Sequence, residues 1–125
     1  MTFLGLFGFL GRSRELRELD LALRAVDLHP QFVPEAVKLA VLKLLVDAPG
    51  VREDPGRAAS LVAYCMLGAE GFADANGTAR REEMERRIET ALHAGDGLDA
   101  QLILLTLHAK VIQPSVVADF NLEAA

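Results

Sequence analysis

Glu89, His93, Asp96 and Asp99 bring carboxylate and imidazole donors together within eleven residues of this 125-residue chain. Side chains four apart share one helical face. Glu89 and His93 would therefore stand together, with Asp96 and Asp99 just beyond. Such donors suit a divalent metal. Gly95 and Gly97 interrupt the helix among them, however, and aspartates ahead of a helix are ordinary caps. The expectation is a helix end rather than a metal centre.

The stretch Phe72 to Glu83, FADANGTARREE, tests a second metal chemistry. With Gly77 at the sixth position of a calcium loop, Asp74 and Asn76 fall at positions three and five and Glu83 at twelve. Position one is then Phe72, whose side chain has no oxygen. A tight turn at Gly77, followed by Thr78 as a helix cap, accounts for the same residues without calcium.

Tyr64 and Met66, with His108, are the candidates for lining a small-molecule pocket between helices. An aromatic or methionine at helical spacing is ordinarily plain core, and a lone His on an apolar helix is ordinarily a hydrogen-bonded core or interface residue. Cys65 is the sole cysteine, so no internal disulfide can form. It lies in the apolar run from Leu61 to Ala69 without a basic neighbour to activate it, and reads as a small buried hydrophobe. Ser13, Ser60 and Ser115 have no local base or oxyanion pattern. Gly5, Gly8 and Gly11 recur every third residue, but no strand precedes them and no Gly-Lys-Ser/Thr follows, so they are not a phosphate loop. No catalytic constellation is present and no cofactor is implied. The sequence reads as non-enzymatic.

The bulk properties narrow the field further. A net charge of −5 and a pI near 5.1 disfavour a nucleic-acid binder, which needs clustered Lys and Arg, and disfavour docking on anionic membranes. Apolar residues make up 51% of the chain but aromatics only 6%, with no Trp. The core must be built from Leu, Val, Ala and Ile. No segment reaches the ~18 apolar residues of a membrane span. The apolar start MTFLGLFGFLG lacks the basic region and cleavage pattern of a secretory signal. A cytoplasmic protein is expected.

The positioning elements are all helical. Helix A is predicted over Arg14–Leu28, capped by Ser13, with Leu16, Leu19, Leu23 and Val26 as its apolar stripe. Helix B begins at Pro34 and ends near Asp47. Helix C opens at Asp54-Pro55, a cap followed by a residue suited to the first turn, and runs to about Ala69. Helix D follows Thr78 and closes at Gly95. Its pairs Glu82–Arg86 and Glu83–Arg87 have favourable polarity, as does Asp20–Arg24 on helix A. Helix E, Leu98–Ile112, is apolar nearly all round and should be buried on all sides. Pro114 then starts a short helix F, from Ser115 to about Glu123. The expected product is all-α, a single compact bundle of five to six helices over residues 1–125, with B, C and E inside.

One surface has no internal use. Phe3, Leu6, Phe7, Phe9 and Leu10 crowd an apolar segment, residues 1–11, that holds three of the six Phe residues. Left exposed, it would make a patch that soluble monomers rarely tolerate. The resulting expectation is a helical domain that binds protein, itself included, as a homodimer using residues 3–10. The alternatives are a small-ligand or metal-binding helical protein, and a membrane-surface protein anchored by the same residues.

Overall fold

The computed structural model describes residues 2–47 and 54–122, with side chains from Arg14 onward. It is 83% helical, with six α-helices and no strand among the described residues. The helices are α1 (Thr2–Ala25), α2 (Glu35–Asp47), α3 (Pro55–Asn76), α4 (Thr78–Ala94), α5 (Leu98–His108) and α6 (Pro114–Phe120), with a 3-10 turn at Pro30–Phe32 between the first two. The expected all-α bundle is what the chain forms.

α3 is the axis of the bundle. Every residue from Ala58 to Cys65 is buried. Ala58, Ala59 and Ala63 present almost no side chain, so neighbouring helices approach closely, while Leu61, Val62 and Tyr64 fill the spaces between them. α1, α4, α5 and α6 all pack on it. Its start follows the sequence reading: the Asp54 carboxylate accepts the Gly56 N–H at 3.0 Å, and Pro55 occupies the first turn. Gly68 then breaks the helix, with φ 83° and ψ 170°. The break frees the Cys65 carbonyl, which accepts the Gln113 N–H at 2.8 Å from the segment leading into α6. A Cβ at Gly68 would lie 3.2 Å from Ser115 Oγ, so the position needs glycine for both its backbone angle and its space.

Several expected boundaries are corrected. Ser13 is not a cap, because α1 continues without interruption from Thr2; nothing between Thr2 and Ser13 forbids helix, since glycine there costs only about 1 kcal/mol each. α1 ends at Ala25, before His29-Pro30. The end is a Schellman motif: Asp27 takes φ 66°, Leu28 N–H donates to the Leu23 carbonyl and Asp27 N–H to that of Arg24, both at 3.0 Å. Leu23 and Leu28 are both buried, the apolar contact this motif favours. Thr78 is the first residue of α4 rather than its cap; Gly77 precedes it and no side chain caps the helix. Helix F stops at Phe120, where Asn121 turns left-handed with φ 55°.

The expectation that helix E is buried on all sides is also overturned. α5 buries Leu102, Ile103 and Thr106 against α2, α3 and α4, but Leu104 is 48% exposed and Leu105 only half-buried. α5 lies at the edge of the bundle and keeps an apolar outer face. α2 is peripheral too: it buries Val37, Val41, Leu42 and Leu45 and leaves Val46 70% exposed. Of the three helices expected inside, only α3 is enclosed, and that from Ala58 to Cys65. The distinction has an energetic signature. Leu102→Ala should cost about 2–5 kcal/mol through the cavity it leaves, whereas Leu104→Ala should cost less than about 1 kcal/mol, as surface changes do. Urea unfolding of the two variants measures the contrast; equal losses would contradict this placement of α5.

Candidate functional site

The four sequence candidates for a metal fall at the α4–α5 junction, and the turn there separates them. Gly95 ends α4 in the left-handed region with φ 78°, and Gly97 opens α5 with φ 98°. Glu89, His93 and Asp96 are exposed. Asp99 is drawn to Arg87 instead. Arg87 Nε donates to Asp99 Oδ2 at 3.0 Å and Nη2 to Oδ1 at 2.8 Å, a bidentate pair. Arg87 Nη1 also donates to the Arg57 carbonyl at 3.0 Å. Among the described residues, no group of three or more His, Cys, Asp or Glu side chains is placed to hold a metal ion. What the sequence presents as a donor cluster is, in space, a clamp that ties α3, α4 and α5 together.

Above this clamp lies an open cleft of about 390 Å³, bordered by Arg57, Arg86, Arg87, Asp96 and Asp99. Arg87 and Asp99 form its least exposed part, with side chains 11% and 22% exposed. The pairs expected along α4 do not form: Arg87 takes Asp99 rather than Glu83, and the ion pair within α4 is Arg81–Glu85, at 3.8 Å. On α1, Asp20 likewise meets Lys38 of α2 at 3.1 Å rather than Arg24. A partner on another helix is held more rigidly and is less solvated than one on the same surface, which strengthens the charge–charge term.

Tyr64, Met66 and His108 have three different surroundings. Tyr64 is fully buried. Its hydroxyl donates to Glu85 Oε2 at 2.9 Å, and its ring meets Phe72 and Phe120 edge-on at 5.7 and 6.5 Å. Burial, reinforced by the Glu85 carboxylate, pushes the phenol well above its usual range. Met66 is half-buried against the core, and His108 is exposed at the end of α5. The three described clefts are lined by other residues. Cys65 is buried, and desolvation pushes its thiol up to about 11. It is a core residue with no thiolate at neutral pH.

The calcium-loop reading ends in the same way. Phe72 to Asn76 are helical, Gly77 is a single-residue joint, and α4 starts at Thr78. Phe72 is in the core. Asn76 Nδ2 donates to the Val26 carbonyl at 3.0 Å, which ties the end of α3 to the end of α1. Nothing in the local sequence marks Asn76 for that long-range task.

The remaining features are a surface groove and a few exposed apolar side chains. A groove of about 550 Å³ between α5 and α6 is lined by Leu107, Ile112, Pro114, Val117 and Ala118, with Lys110 and Asn121 at its edges. Elsewhere, Leu21, Phe32 and Val46 are 62%, 72% and 70% exposed. Phe32 is carried on the 3-10 turn, which is capped by a Gln31 N–H to His29 Nδ1 bond of 3.1 Å, and the His29 ring meets it edge-on. The expected interface residues Phe3, Leu6, Phe7, Phe9 and Leu10 lie outside the residues whose side chains are described. No helix among the described residues is long and apolar enough to cross a membrane. No family model, curated protein or solved structure matches the chain.

Two outcomes follow from the site chemistry. Asp99→Ala leaves Arg87 largely buried without its counter-charge and should cost about 2–4 kcal/mol, below the full range for a wholly buried pair because both side chains retain some exposure; a loss under about 1 kcal/mol in thermal or urea unfolding would show that the clamp is dispensable. The raised pKa values of Cys65 and Tyr64 set the alkaline limit. A neutral acid whose folded pKa lies above its unfolded value stabilises fully below the unfolded pKa, and that contribution is lost as pH rises. Stability should therefore fall from about pH 9 towards 11 through Cys65. Cys65→Ala should flatten that part of a pH series of urea unfolding; an unchanged slope would refute the assignment.

Proposed function

We propose that this chain is a non-enzymatic helical module that works by binding protein, itself included, and that residues 3–10 belong to its homodimer contact. The observation that carries the reading is the exposure of Leu21 together with its place on α1. The core-facing stripe of α1 is Leu16, Leu19 and Leu23. Leu21 is 62% exposed and stands on the opposite side of the helix. Leu10 precedes it by eleven residues, about three turns, and so shares its register, as do Phe3 and Phe7 at helical spacing. In sequence this register is apolar at Phe3, Phe7 and Leu10, and further along α1 Leu21 stands on it among the exposed Arg14, Arg17, Glu18 and Arg24. A closed two-fold contact covers such a face on both copies at once.

The buried donors favour this reading over catalysis or metal binding. Arg87, Asp99, Tyr64 and Glu85 satisfy one another, leaving no nucleophile–base pair among them. Light scattering should give twice the chain mass of 13.5 kDa. Deleting residues 2–11 should yield a monomer or an aggregating protein. A monomeric full chain, with the truncated chain equally soluble and stable, would overturn the proposal.

A further inference from the structure

The outer face of α1 carries a row of cations that the bundle does not use. Arg14, Arg17, Leu21 and Arg24 follow one another at intervals of three, four and three residues, and so share one side of the helix. All four are exposed, opposite the buried Leu19 and Leu23. The row runs roughly 15 Å along the helix axis. Elsewhere the bundle matches its cations: Lys38 with Asp20, Lys43 with Asp47, Arg81 with Glu85 and Arg87 with Asp99. Arg57, Arg80 and Arg86 border clefts that also hold Asp54, Glu83 and Asp96. Arg14, Arg17 and Arg24 make no ion pair among the described residues. The acids beside them on α1 are Glu15, Glu18 and Asp20. Asp20 is taken by Lys38, Glu15 is half-buried, and Glu18 alone of the three is exposed.

We propose that this row docks an acidic helix of a partner protein, one that carries carboxylates at matching intervals and an apolar residue to meet Leu21. Guanidinium suits the task, since each can hold a carboxylate through two parallel N–H bonds. Arginine clusters are a recurring means of recognising acidic motifs. The surroundings of the row select the class of partner. An extended anionic surface, whether nucleic acid or membrane, faces the chain at large, and the chain carries a net charge of −5. A single helix meets the row alone, and charges beyond about 8 Å are largely screened from it. Leu21, between Arg17 and Arg24, calls for an apolar contact that an amphipathic helix supplies and a phosphate backbone does not. The apolar start of the register, residues 3–10, is the homodimer contact proposed above. The basic stretch is a separate surface for a different chain, and the oligomeric state does not decide it.

Fluorescence anisotropy with a designed probe tests this. The probe is a labelled helical peptide with Glu and a single Leu at three- and four-residue intervals on one face, titrated with the full chain. Binding should be saturable and should weaken as salt is added. Arg17→Glu should weaken it roughly tenfold, because like charges across a contact repel. Lys43→Glu makes the same change in net charge at an exposed position of α2, and should leave the affinity nearly unchanged. Both positions are exposed, so both variants should keep the circular dichroism spectrum of the parent. If Arg17→Glu does not fold, Arg24→Gln replaces it and should also weaken binding. A probe that does not bind overturns the proposal, as do equal losses in the row variant and Lys43→Glu. Arg17-dependent binding of phosphatidylserine vesicles or of a single-stranded oligonucleotide, without binding of the peptide, overturns the acidic helix as the occupant.

Discussion

The enclosure of α3 is the constraint from which the rest of the bundle follows. A helix with no solvent face from Ala58 to Cys65 has to be covered on every side, and four helices are used to do it. The alanines set how closely those helices approach. The break at Gly68 then decides where the last one sits: a carbonyl that would have accepted within α3 accepts Gln113 N–H instead, and α6 starts at the next residue. Without the break, the Cys65 carbonyl would be spent inside α3 and the Gln113 N–H would lose the bond that ties the start of α6 to the core helix.

Much of this was legible locally. The Asp54-Pro55 start, the Gly95 stop and the stripe Leu19–Leu23–Val26 are decided by residues within one or two turns, and the sequence shows them directly. The failures share a cause, which is that tertiary partners are invisible to local pattern. Leu98–Ile112 reads as a buried helix because apolarity all round says nothing about how many neighbours arrive. α3 carries Gly and several Ala, looks less apolar than α5, and is the one enclosed. Glu83 is a sound local partner for Arg87, but Asp99 is better placed across the α4–α5 turn. The metal-like run Glu89 to Asp99 dissolves for the same reason: a clamp and a donor cluster use the same residue types, and only the turn at Gly95 to Gly97 separates the two.

What the enclosed core leaves over bears on function. Its polar groups are consumed in holding helices together: Arg87 with Asp99, Tyr64 with Glu85, Asn76 with Val26, Lys38 with Asp20. Chemistry at neutral pH needs a group poised between two protonation states or a nucleophile beside a base. Cys65 and Tyr64 are instead pushed toward their neutral forms by burial. The apolar surplus lies outside, at Leu104 on α5, Val46 on α2 and Phe32 on the 3-10 turn. Single exposed apolar residues are ordinary, so the weight rests on those that continue a helical stripe or line a groove.

The helix ends carry a constraint of their own. Among the described residues, three other than glycine, Asp27, Lys110 and Asn121, take positive φ. Such a conformation costs an ordinary residue about 1–2 kcal/mol, and it is repaid only where the surroundings fix it. For Asp27 the repayment is visible, in the burial of Leu28 against Leu23. Lys110 is exposed and branches into no core contact of its own. Its conformation sets the direction in which the chain leaves α5, and hence the separation of Leu107 from Val117. The bundle core, centred on α3, does not need that separation: α6 is already anchored by Val116, which is fully buried, and by the Cys65 carbonyl. The left-handed turn at the exposed Lys110 therefore serves the path of the chain from α5 to α6 rather than the packing of the core.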